Sequence, residues 1–283
     1  MSKGFCQIEM VSRYRLKGKL WNRRFALTGI IFLLFLYLVE EGILEFCERM
    51  YLKVSPWVFP FLSGDWICQM MICGYFSWLV SALAEKSESD LFVRVRAGKV
   101  SWELGNCVAI IKFAALYTVL LVFLSAILLL PQMEFNFKWG KAWNTLASTN
   151  AGELFGIGIY VSPMTIHLYN PVKATLYAML LQFLCLAWLG LLMYMVNLLV
   201  QKSIGMYLAL AFIFLDVMLS NTSMERYFKF SPVTMVQLSN YSVATLRYGI
   251  TIRYALLFYL TGIFFFLLIS VNFASKKWRW NRE

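Results

Sequence analysis

Long apolar runs alternate with polar stretches along this chain. Spanning a ~30 Å hydrocarbon layer as helix takes about 20 apolar residues. Six runs come close to or exceed that length, at about 25–44, 65–83, 107–130, 174–200, 206–220 and 254–273. Each is continuously apolar, whereas a lipid-facing barrel strand alternates over about ten residues. The pattern predicts an all-α integral membrane fold of six transmembrane helices, one domain covering 1–283. Pro131 closes the third span. The fourth is long enough to tilt or protrude. A short turn, Q-K-S-I-G, joins it to the fifth.

The polar stretches differ in kind. In 1–24, Phe5, Ile8, Val11, Tyr14 and Trp21 recur at helical spacing, with Arg13, Arg15, Lys17, Lys19, Arg23 and Arg24 between them. That spacing predicts an amphipathic helix lying in the interface, its bases towards anionic membrane lipid. A simple polybasic anchor is the plainer alternative. The stretch is too long for the basic part of a signal peptide, and no small-residue cleavage site follows. The first span ends in Glu40, Glu41, Glu45 and Glu48, expected at the outer surface, with Trp57 and Trp66 in the aromatic belt. Two longer segments, 132–173 and 221–253, are expected outside, the first of them too polar to span.

Composition agrees with the pattern. Hydrophobic residues make up 60% of the chain and charged residues 14%, against roughly 45–50% and 25% in soluble domains. The net charge of +11 is explained by topology rather than by nucleic acid. Sixteen Lys and Arg fall in the stretches on the side of the termini and nine in the much longer opposite segments. The positive-inside rule then puts both termini in the cytoplasm of a multi-pass plasma-membrane protein. The six cysteines show no paired metal-ligand spacing and mostly lie in or beside apolar runs, where free Cys behaves as a small hydrophobe. Cys47 and Cys68 both fall near the outer face, where a disulfide is allowed.

Catalytic chemistry is thin. His167 is the single histidine, and a zinc site normally takes at least three protein ligands. There is no G-x-S-x-G elbow, and no Gly-Lys pair continues into Ser or Thr as a P-loop requires. L-S-G-D-W at Leu62 matches part of an ATPase signature by chance, since it falls at the outer mouth of a span. N-T-S at Asn221 and N-Y-S at Asn240 fit glycosylation acceptors, but such tripeptides are common. Two ionisable residues lie within spans, Lys112 and Asp216, and such residues are functional candidates by default. Lys112 is shallow enough to snorkel to the interface. Separate anchoring of the two is favoured over a Lys112–Asp216 pair. One internal similarity stands out. S-P-M-T at Ser162 and S-P-V-T at Ser231 each precede a span, and L-x-N and A-T-L match downstream with one residue inserted. A real repeat predicts that both segments meet the outer surface in similar ways.

Between the second and third spans lies a polar island, A-E-K-S-E-S-D-L-F-V-R-V-R-A-G-K-V-S-W-E-L-G-N, from Ala84 to Asn106. It carries four bases and four acids around a short apolar-basic piece. With the basic first helix and six spans, this loop resembles the membrane subunits (permeases) of ABC exporters, in the class that includes drug, polysaccharide and bacteriocin export. Gly105 matches the family pattern; Asn106 stands where Lys is frequent. The resemblance implies a coupling helix at about Ser87 to Arg96 that seats in a groove of a cytoplasmic ATPase. Ser87 or Ser89 would cap it, with Glu88 and Asp90 favouring its positive end. Leu91, Phe92 and Val95 would fill the groove, with Ser89, Asp90 and Val93 on the same coupling helix, while Arg94 and Arg96 pair with acids around it. The chain would not itself be an enzyme and would bind no cofactor, ATP and Mg being held by the partner ATPase. A second permease chain, identical or homologous, would complete the translocation path for an amphipathic cargo. The alternatives are a stand-alone ion-coupled transporter, for which Asp216 is the candidate acid, and an integral membrane enzyme acting on lipid.

Overall fold

The computed structural model describes residues 3–20, 23–83, 89–200, 204–222, 224–241 and 250–280. Its described elements are helical, without strands. In chain order the helices are α1 (Lys3–Leu20), α2 (Arg23–Arg49), α3 (Phe59–Leu62), α4 (Trp66–Leu83), α5 (Ser89–Ala97), α6 (Lys99–Leu128), α7 (Gly140–Ser148), α8 (Ala151–Leu154), α9 (Pro163–Leu168), α10 (Pro171–Val200), α11 (Gly205–Ser220) and α12 (Ile252–Trp280). Short 3-10 turns fill 130–132, 225–230, 234–236 and 238–240.

Four helices, α2, α6, α10 and α12, are long and apolar enough to cross a membrane. The remaining two predicted spans are helices as well, but shorter. α4 has 18 residues and α11 has 16, or about 27 and 24 Å at ~1.5 Å per residue. The two short helices pack against each other.

α10 is the central helix. Of its apolar window 61% is buried, against 22% for α12. From Leu184 to Leu192 every residue is buried, so the helix is apolar all round because it is surrounded by other helices. Lipid tails are as apolar as leucine, so helices in a bilayer associate through close approach and interhelical hydrogen bonds. Both devices are present. Gly190 lets α10 approach α6, because a Cβ there would lie 2.6 Å from Ile110 Cγ2. Gln69 Nε2 of α4 donates to Gln182 Oε1 of α10 at 2.6 Å, and Tyr117 of α6 donates to the Ile72 carbonyl of α4 at 3.1 Å.

The bundle has two unlike ends. The base carries α1 and α5. α1 does form over the predicted stretch, yet it lies on protein. Val11 is wholly buried beside Ala97 and Trp102. α1 crosses α6 at Gly105, where a Cβ would fall 2.5 Å from Val11 Cγ1. Phe5, expected in the apolar face, is exposed; Trp21 lies outside the described residues.

The opposite end is a folded cap built from the two longer segments. Val54 pairs with the strand-like backbone at 132–134, its N–H donating to Gln132 O and its carbonyl accepting from Glu134 N. Trp143 Nε1 donates to Ser55 O, Trp139 Nε1 to Tyr169 O and Trp57 Nε1 to Asn136 O. Helix α3 is wholly buried beneath them. L-S-G-D-W proves to be a helix start. Asp65 Oδ1 accepts from the N–H groups of Ile67 and Cys68 and so caps α4. Cys47 and Cys68 are buried free thiols, not a disulfide. Helix α9 of the first S-P-x-T segment packs against the 238–240 turn that follows S-P-V-T in the second. Ser162 and Ser231 are both extended and Thr165 and Thr234 both buried. The first then forms α9, whereas the second turns through 234–236 and 238–240.

The first span also needs correction. α2 does not stop near Leu44 but runs to Arg49, and Glu40 is wholly buried rather than at a surface. Glu41, Glu45 and Glu48 are exposed as expected.

Candidate functional site

The polar island folds at the base. Residues 84–88 lie outside the described residues, and with them Ser87 and Glu88 of the expected cap. Ser89 opens α5, Asp90 stands in its first turn and Arg94 and Arg96 in its last, the polarity that favours a helix dipole. Gly98 ends it with φ of 79°, a conformation that suits glycine. Its N–H closes on Arg94 O at 3.0 Å and its carbonyl starts α6 through Trp102 N at 3.0 Å.

Helical spacing divides α5 into two faces. Asp90 and Ala97 are buried, with Val93 and Arg94 half-buried. Leu91, Phe92 and Val95 are 66%, 76% and 83% exposed, and Arg96 is exposed beside them. The inner face is fixed by charge. Arg15 of α1 donates from Nη1 to Asp90 Oδ2 at 3.0 Å and from Nε to Asn106 Oδ1 at 2.6 Å. Its guanidinium lies 4.9 Å from the centre of the Trp102 ring. Tyr14 donates to Asp90 Oδ1 at 3.2 Å. Arg94 turns inward too, reaching Glu103 Oε1 of α6 at 3.4 Å, and Tyr194 of α10 donates to the other oxygen of the same carboxylate. Arg94 is thus engaged by Glu103 within the chain, whereas Arg96 is exposed. α5 is joined by charge to α1 and α6, and through Glu103 to α10.

The two intramembrane candidates sit apart. Lys112 donates to Glu9 Oε2 of α1 at 2.5 Å. This bond, with Arg13 on the other side, holds the Glu9 carboxyl below the usual range. Asp216 is buried in the other half of the bundle. Its Oδ1 accepts from Thr234 Oγ1 at 2.7 Å and from Gln237 Nε2 at 3.2 Å. The Lys112–Asp216 pair is not formed. His167 is exposed on α9, and among the described residues no three His, Cys, Asp or Glu cluster as metal ligands.

A small cavity of about 20 Å³, room for about one water molecule, lies between α1, α4, α6 and α10. Val80, Ala109, Ile110 and Met193 give it an apolar lining, and Arg15, Asn106, Tyr194 and Asn197 a polar rim. Sequence reasoning missed Glu103, Tyr194 and Glu40. Glu103 had a visible signal, since it lies one turn before Cys107 in register with the apolar stripe of α6.

No protein-family model, curated protein or solved structure matches this chain.

Proposed function

We propose that the chain is the membrane-spanning subunit of an ATP-driven exporter of the ABC kind, moved by a separate cytoplasmic ATPase that grips α5. One observation carries this reading. Leu91, Phe92 and Val95 stand out into solvent on a short helix whose other face is tied to α1 and α6 by Asp90–Arg15 and Arg94–Glu103. An exposed apolar patch rimmed by charge is the usual mark of an interaction surface. Arg96 at its edge selects an acidic rim on the partner. A push on this patch passes into α6 and α10 rather than being lost in a loose loop.

In this reading α4 and α11 span together with the four long helices, making six spans, and the base with both termini faces the cytoplasm of a plasma-membrane protein. Two copies, identical or homologous, enclose one path. ATP and Mg are held in the ATPase, and its closure shifts the balance between two arrangements of the bundle by making better contact with one of them. An amphipathic cargo is suggested by the family analogy and by the scarcity of charge within the spans.

The test is recovery of a partner. The tagged full chain, purified in mild detergent, is expected to bring a nucleotide-hydrolysing protein with it. Phe92→Asp is expected to lose that protein by at least tenfold with unfolding temperature unchanged, because Phe92 makes few contacts within the chain. Recovery of no such protein, or equal recovery and export in Phe92→Asp, would overturn the reading.

A further inference from the structure

Glu40 lies nine residues before the end of α2, about 14 Å along the helix. α2 turns one stripe to the bundle: Phe32, Leu36, Val39, Ile43, Phe46 and Cys47, all buried. Glu40 belongs to that stripe, four residues after Leu36 and three before Ile43. It is wholly buried, and neither carboxyl oxygen has a hydrogen-bond partner. The other buried acids among the described residues are all held. Asp65 accepts two backbone N–H groups, Asp90 binds Arg15 and Tyr14, Glu103 binds Arg94 and Tyr194, and Asp216 binds Thr234 and Gln237.

Among the described residues, none offers Glu40 a counter-charge. Across the seam, α4 presents the buried Cys68 within electrostatic range, with Asp65 behind it. Tyr75 of α4 and Tyr117 of α6 pack on Phe32, two turns away. Lys53 acts on Cys47, and Arg49 is engaged by Glu45 on the solvent side. The residues of the 130–132 turn are Leu, Pro and Gln, and 155–157 meets α2 with backbone at Gly42. An ionised carboxylate with no partner in such a place is far costlier than a neutral carboxylic acid. Ionisable groups inside a membrane bundle that do not serve the fold mark proton or ion sites.

We propose that Glu40 is a proton-binding site of this membrane domain. It carries its proton while α2 is packed on α4, and its O–H bond breaks, the proton passing to water, when the α2–α4 seam opens. The exposed Glu41 and Tyr37 flank it on α2, so water or headgroups lie a short way round the helix. The ligand is the hydrogen ion, and the site does not depend on the identity of any cytoplasmic partner.

The test uses the full chain in phosphatidylcholine vesicles and its infrared spectrum in H₂O and D₂O at neutral pH. A protonated carboxyl group shows a C=O stretch that moves on deuteration. The wild type is expected to show such a band, and Glu40→Gln, which replaces the acid with an amide of the same shape, is expected to lose it. Where Glu40→Gln does not insert, Glu40→Asp is expected to move the band. A deuteration-sensitive spectrum unchanged in either variant would overturn the proposal.

Discussion

The base and the opposite half of this bundle both bury acids, and they do so in opposite ways. At the base every described acid of the buried cluster meets a cation: Asp90 with Arg15, Glu103 with Arg94. In the opposite half Asp216 meets only neutral donors, Thr234 and Gln237, and Glu40 meets none. A paired buried charge is costly to break, so the base behaves as a stiff joint between α5 and the core. Glu40, with no hydrogen-bond partner among the described residues, is the acid for which the proton-site proposal is made. The contrast separates buried acids paired with cations from buried acids that meet only neutral donors or none.

The largest effect is expected at Arg15. Arg15→Ala leaves Asp90 buried without its cation, and breaking such a pair costs about 3–5 kcal/mol. Thermal unfolding of the full chain in detergent measures it. Arg15→Ala with Asp90→Ala should regain part of the loss, which marks the pair rather than the side chain as the cause. A smaller loss, about 1–2 kcal/mol, is expected for Asp216→Asn, since the Asn amide weakens the bonds from Thr234 and Gln237. Glu40→Met should go the other way, gaining about 1 kcal/mol by removing an unsatisfied buried group. A loss there as large as that at Arg15 would erase the distinction between the two halves.

The smallest effect is pH-dependent. The folded state holds the Glu9 carboxyl below its ordinary 4.5, through Lys112 first and Arg13 second. A depressed acid stabilises the fold at pH above its unfolded value, and that contribution is lost as pH falls through the lower folded value. The pair is partly exposed, so solvent and salt weaken it. Wild type and Lys112→Met should therefore differ in unfolding temperature at pH 7 and low salt, and converge as the pH is taken well below 4.5.

Hydropathy alone revealed the four long helices and located the two short ones, because a continuous apolar run leaves little else for the chain to do in lipid. α5 was expected, from the family resemblance, at about Ser87 to Arg96; it runs from Ser89 to Ala97, and Gly98, which closes it, was not read as its end. What stayed hidden was pairing across distance. Glu103 and Tyr194 lie 91 residues apart, and Arg15 and Asp90 lie 75 apart; no periodicity within one helix reports such a contact. Glu40 was misplaced for a different reason. Counting about 20 residues from Phe25 put it at the membrane surface, although α2 continues without a break to Arg49. Its spacing from Leu36 and Ile43 pointed to the buried stripe.

The most direct measurement is a photo-crosslinking residue placed at position 92 of the full chain in its native membrane. A covalent adduct to a nucleotide-hydrolysing protein, formed from the cytoplasmic side and lost when Arg96 is made acidic, is the expected result. Labelling of position 92 by a membrane-impermeant reagent added outside, with no such adduct, would contradict it.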